Sequence, residues 1–91
     1  DRIDALGAIG ISRCLLVGGS INRALYSVVD PFCDSREPDD EKFCIDHFFK
    51  KLFNIADTLQ TNAARLDAKK RVKFMKLYLA ELDAEITVPA Y

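Results

Sequence analysis

The opening stretch, Asp1-Arg2-Ile3-Asp4-Ala5-Leu6-Gly7-Ala8-Ile9-Gly10-Ile11-Ser12-Arg13, sets the strongest limit on what this chain can fold into. It is apolar on nearly every side yet carries two acids and two guanidinium groups. A helix that is greasy all round must be enclosed by other elements. Charges inside such a segment must be paired, hydrogen-bonded or committed to an ion. The chain is 91 residues long and starts with no initiating Met, so few elements follow that could enclose this helix. The expectation is the C-terminal portion of a larger helical domain, residues 1–91 forming part of a single unit.

Composition narrows the class. Apolar residues make up 49% and charged residues 30%, the balance of an ordinary folded protein rather than a disordered or fibrous one. A net charge of -1 gives no long-range attraction for nucleic acid or an anionic membrane, so neither is expected as a partner. Cys14, Cys33 and Cys44 form no C-x-x-C pair and leave an odd thiol, against both a zinc knuckle and a disulfide scaffold. A reducing, cytoplasmic compartment fits them. No apolar run approaches the roughly 20 residues of a membrane span.

Periodicity reads as helix throughout. Ile3, Leu6, Gly10, Cys14 and Val17 recur at three and four, predicting a first helix from Asp1 to about Val17 that Gly18-Gly19 ends. From Ser20 to Asp40, Asn22, Pro31 and Pro38 predict a long loop pinned by Tyr26 and Phe32; loops of that length often form lids or binding loops. A second helix is expected from Asp39 or Asp40, either acting as its cap, to about Leu59. It presents Ile45, Phe48, Leu52 and Ile55 on one face and His47, Lys51, Asn54 and Thr58 on another. Thr61 or Asn62 caps a third helix running to about Ile86, with a seam of Ala68, Val72, Met75, Leu79, Leu82 and Ile86. Phe74, Leu77 and Tyr78 widen that seam and predict a second neighbour. The fold class is all-α, a portion of a helical bundle.

Generic enzyme signatures are missing: there is no Gly-rich phosphate loop, no G-x-S-x-G, no H-E-x-x-H and only one His. The opening segment Asp1 to Arg13, with Gly18-Gly19, Tyr26, His47-Phe48, Lys51-Leu52, Thr61 and Arg71 with Met75, nevertheless resembles the C-terminal half of the HD-domain metal-dependent phosphohydrolases. The similarity runs from Asp1 to about Ile86 and is strongest to small bacterial members acting on nucleotides or pyrophosphate. That family holds one or two divalent metals through a His, a His-Asp doublet and a later Asp that opens an Asp-Arg pair. Asp1 with Arg2 matches the last of these, so the resemblance implies Asp1 as metal ligand and catalytic group. The other ligands would belong to a missing N-terminal segment of the same domain, and this chain alone would be inactive. A hard carboxylate with neutral imidazoles suits Mn²⁺, Mg²⁺, Fe²⁺ or a similar ion, which activates water and withdraws charge from phosphoryl oxygens.

The same resemblance marks His47 and Lys51 as substrate contacts, a small-molecule phosphate or nucleotide being the expected substrate. An imidazole beside an ammonium suits a polyphosphate, although a lone His near aromatic residues is more often structural. Arg13 is a candidate for the substrate tail, or it pairs with an acid in the core or on the loop. Arg71 is a substrate-side candidate, or it ties the third helix to the second. Asp4 is more simply an ion-pair partner than a group behind the metal ligand. The rival reading from another class is a non-catalytic helical interaction module or degenerate family member. A homo-oligomer is compatible with either reading.

Overall fold

A computed structural model describes residues 2–87 as a set of packed helices. Asp1, the expected metal ligand, lies outside the described residues. A 3-10 turn, Arg2–Ala5, leads into helix α1, Gly7–Ser20. An irregular segment follows, and then a composite helical rod: α2 (Cys44–His47), a π turn (Phe48–Leu52), α3 (Phe53–Ile55) and a 3-10 turn (Ala56–Thr58). Helix α4, Asn62–Ile86, completes the fold. Among the described residues there is no strand, and only an isolated bridge joins Ala24 to Phe43.

The opening helix is interrupted within the described residues, contrary to the sequence expectation. It breaks at Leu6-Gly7, where Gly7 has φ +74, a left-handed conformation that side chains rarely adopt. α1 also runs through Gly18-Gly19 to Ser20 rather than stopping at them. Gly18 is there for proximity: a Cβ at that position would fall on the Cys44 sulfur, so the pair lets α1 and α2 approach closely.

The second helix starts at Cys44, later than expected, and neither Asp39 nor Asp40 caps it with a side chain. Its first N–H groups are satisfied by the loop backbone instead. The Cys44 amide donates to the Ala24 carbonyl at 2.9 Å and the Ile45 amide to the Leu25 carbonyl at 3.0 Å. The third helix matches expectation at both ends. Thr61 Oγ1 accepts from the Ala64 amide at 3.1 Å, and the helix extends to Ile86.

Leu6, Ile45, Phe48 and Met75 are the largest fully buried apolar side chains of the core, joined by Ile11, Cys14, Cys44, Leu52, Ala68 and Leu79. Tyr26 and Phe32 pack against this cluster and pin the long loop, as expected. The loop is also stitched by charge. Asp46, wholly buried, accepts both Nη atoms of Arg36 at 2.5 and 3.0 Å and the Asp39 amide at 2.7 Å. Arg36 further donates to the Asp30 carbonyl at 2.9 Å and lies over the Phe43 ring. Phe74 and Leu77, expected to extend the α4 seam, are instead 47% and 60% exposed.

Candidate functional site

The sequence expectation grouped His47 with Lys51; the structure brings Arg13 to them. All three line one cavity of about 580 Å³ between α1, the end of the long loop and the rod, within the size range of small-ligand sites. Arg23 and Lys50 complete a basic lining, and Ala5, Cys14, Val17 and Leu52 supply apolar wall. Among the described residues Arg13 has no carboxylate partner, so the pairing weighed for it is not formed.

Asp40 organises the basic groups. It is buried, and its Oδ2 lies 3.0 Å from His47 Nδ1 and 3.5 Å from Lys51 Nζ, while Oδ1 lies 3.6 Å from Lys50 Nζ. The hydrogen bond to His47, reinforced by Lys51 and Lys50 against the cost of burial, holds the Asp40 carboxyl below the ordinary carboxylate range. An ionised carboxylate only accepts, so His47 Nδ1 carries the proton and Nε2 remains for another partner. The π turn makes this grouping local: pairing to the fifth residue widens the helix where Lys50 and Lys51 both reach back to one carboxylate.

Sequence reasoning treated Asp40 as a helix cap and passed over Arg23 and Lys50. The available signal was an acid seven residues before a lone His, next to consecutive lysines. Arg23 reaches the site because its amide closes the end of α1 on the Gly18 carbonyl at 2.8 Å and its Nε donates to the Glu41 carbonyl at 3.4 Å.

Arg71 stands elsewhere. Its Nη1 donates to the Ile3 carbonyl at 2.9 Å and to the Leu6 carbonyl at 3.5 Å, and it pairs with Asp4 at 3.8 Å and with Asp67 at 3.5 Å. Its methylenes fill the space beside Gly7, where an added Cβ would approach Arg71 Cγ to 3.1 Å. Instead of joining α4 to the rod, Arg71 ties α4 to the turn that precedes α1. Asp4 is therefore an ion-pair partner, the plainer of its two expected roles.

Cysteine chemistry is suppressed. Burial, with a smaller push from Cys44, raises the Cys14 thiol to about 11, and burial with the Asp46 carboxylate raises Cys33 to about 11. Among the described residues no three His, Cys, Asp or Glu side chains group to hold a metal ion, so these residues do not themselves form a cage. Nor, among them, is any helix long and apolar enough to cross a membrane.

No protein-family model matches the chain. It is 34% identical over 86 residues to the uncharacterised protein YpgQ of Bacillus subtilis, a match covering 94% of this chain and 36% of YpgQ. A crystal structure of B. subtilis YpgQ in complex with ADP superposes with a TM-score of 0.77, covering 94% of this chain and 39% of that one. An HD-superfamily hydrolase from Bacillus thuringiensis is 34% identical with a TM-score of 0.81, covering 98% of this chain and 43% of that chain. The chain thus spans roughly two fifths of the length of these relatives. At 34% identity over nearly all its residues, it shares the helical fold of part of an HD-superfamily hydrolase.

Proposed function

We propose that this chain forms the phosphate-binding side of an HD-type metal-dependent phosphohydrolase acting on a nucleotide or a related pyrophosphate compound. The observation that carries the reading is the convergence of Arg13, Arg23, His47, Lys50 and Lys51 on one cavity around a buried carboxylate. Four permanent cations and an imidazole, set against Asp40 and Glu41, leave the cavity net positive, which favours a polyanion. The ADP bound by a relative sharing this fold supports the nucleotide class.

In this reading residues 1–91 are one part of a single helical domain. Asp1 gives its carboxylate to a divalent ion, Mn²⁺, Mg²⁺ or Fe²⁺, whose remaining ligands come from outside this chain. Lys51, Lys50 and the two arginines neutralise phosphate oxygens and orient the chain of phosphates. His47, held by Asp40 through Nδ1, turns Nε2 to a phosphate or leaving-group oxygen. Three free thiols suit a reducing, cytoplasmic setting.

The test is release of phosphate or pyrophosphate from a nucleotide panel by the full-length protein, with and without divalent metal. Asp1→Ala should abolish it. Lys51→Ala and His47→Ala should each raise KM about tenfold to a hundredfold, the worth of a charge-assisted hydrogen bond. Unchanged turnover in Asp1→Ala removes that residue from its role, and unchanged KM in both other variants removes the cavity from substrate binding.

A second reading has one observation in its favour. Ile9, Leu16 and Val17 on α1, with Ile21 just beyond its end, are each about half or more exposed, as expected for an interaction module docking through its first helix.

A further inference from the structure

Helix α4 turns Ala68, Met75 and Leu79 to the core, and the opposite side carries an unusual order of charge. Lys69, Lys73, Leu77, Glu81 and Glu85 follow one another at intervals of four, forming a single ridge along the helix, and all are exposed. Two cations precede Leu77 and two anions follow it. Among the described residues no carboxylate pairs with Lys69 or Lys73, and no cation pairs with Glu81 or Glu85. The ridge cannot neutralise itself, because Lys73 and Glu81 are eight residues apart, about 12 Å along the axis. Glu81 and Glu85 instead crowd each other, and the Glu81 carboxylate pushes Glu85 above its ordinary range.

We propose that this ridge is a self-complementary contact through which two copies of the chain pair antiparallel along α4, with the twofold axis at Leu77. A ridge whose charge order inverts about its midpoint matches itself when turned end for end. In that register Lys73 meets Glu81 of the second copy, Lys69 meets its Glu85, and Leu77 meets Leu77. Size matches as well as charge. Phe74, 47% exposed, falls opposite Ala80, and the aliphatic stem of Lys70 lies over Ala84. The outward apolar residues Phe74 and Leu77 gain cover, and flanking Lys-Glu pairs fix orientation as they do in antiparallel helix pairs. The Lys69, Lys73 and Leu77 end of the ridge also borders a groove with Phe53 and Ala56 of the rod, and the contact shares no residue with the phosphate cavity.

Sedimentation of the full-length protein over a concentration series, together with cysteine cross-linking, tests it. The wild type should dimerise reversibly. Lys73→Glu should weaken the dimer by roughly tenfold or more through like-charge opposition, Glu81→Lys should do the same, and the double variant should recover it. Leu77→Cys should give a covalent dimer under mild oxidation that forms far faster than any cross-link of the wild type, whose Cys14 and Cys44 are buried and whose part-buried Cys33 is held as the thiol. Thermal melts and helical circular dichroism check that each variant is folded. A monomer at all concentrations, or a dimer indifferent to Lys73→Glu and unlinked by Leu77→Cys, overturns the proposal. In that case the face is either wet or covered by another part of the protein.

Discussion

Arg36 shows how single residues hold this fold. Asp46 is wholly buried, and burial alone would raise its carboxyl. The Arg36 fork, with the Asp39 amide and the Cys33 thiol, outweighs that cost and brings it below the ordinary range. Removing one partner of such a pair leaves a bare charge in the interior. Arg36→Ala should therefore lose about 3–5 kcal/mol of stability, read from the midpoint of urea unfolding. Arg36→Lys should recover only part, because an ammonium cannot engage both carboxylate oxygens in the planar fork. An unmoved midpoint in Arg36→Ala would mean that the pair carries no structural weight. Gly10 is a second residue with a specific reason to be what it is: an added Cβ would collide with the Ala5 carbonyl, where the 3-10 turn folds back on α1.

Helix α4 behaves as an element should when local signals agree. Thr61 caps it, its seam keeps the three-four spacing, and no special backbone interrupts it. Thr61→Ala should cost about 1 kcal/mol, measured by thermal or chemical unfolding, and Thr61→Ser should restore most of it. These signals are why α4 was legible from residues alone. The break at Leu6-Gly7 was not, because it answers to Arg71 from the distant α4 rather than to its own neighbours. The start of α2 was misplaced for a similar reason: its capping acceptors are the Ala24 and Leu25 carbonyls, which carry no side-chain signature. The basic site was half legible. His47 and Lys51 followed from helical spacing, and Arg13 was already a candidate, but their common cavity depends on how the loop returns Asp40 to the rod. Asp46 announced itself only as an acid among Ile45, Phe48 and Phe49, and its partner ten residues upstream could not be assigned from spacing.

For the whole molecule, Asp30, Asp40 and Asp46 form a chain of acids that binds the long loop to the helices. The carboxyl of Asp30 is lowered first by the Ser35 and Asp34 amides, that of Asp40 by His47, and that of Asp46 by Arg36 against burial. Groups whose folded pKa lies below the unfolded value contribute stability that is present above about 3.8 and lost as pH falls through the lowered folded values. Urea midpoints should therefore hold steady well above that value and decline on acidification below it. Asp46→Asn should flatten the decline, at a cost in stability near neutrality. A profile that is flat down to the most acidic point measured would contradict the linkage. The Arg71 clasp has a consequence for biosynthesis. It joins positions 68 residues apart, so a nascent chain emerging from a ribosome carries Ile3 and the bend at Gly7 unanchored until α4 has been polymerised. Closure thus waits for the synthesis of α4, and a premature stop before Arg71 would release a polypeptide in which α1 never finds its strap.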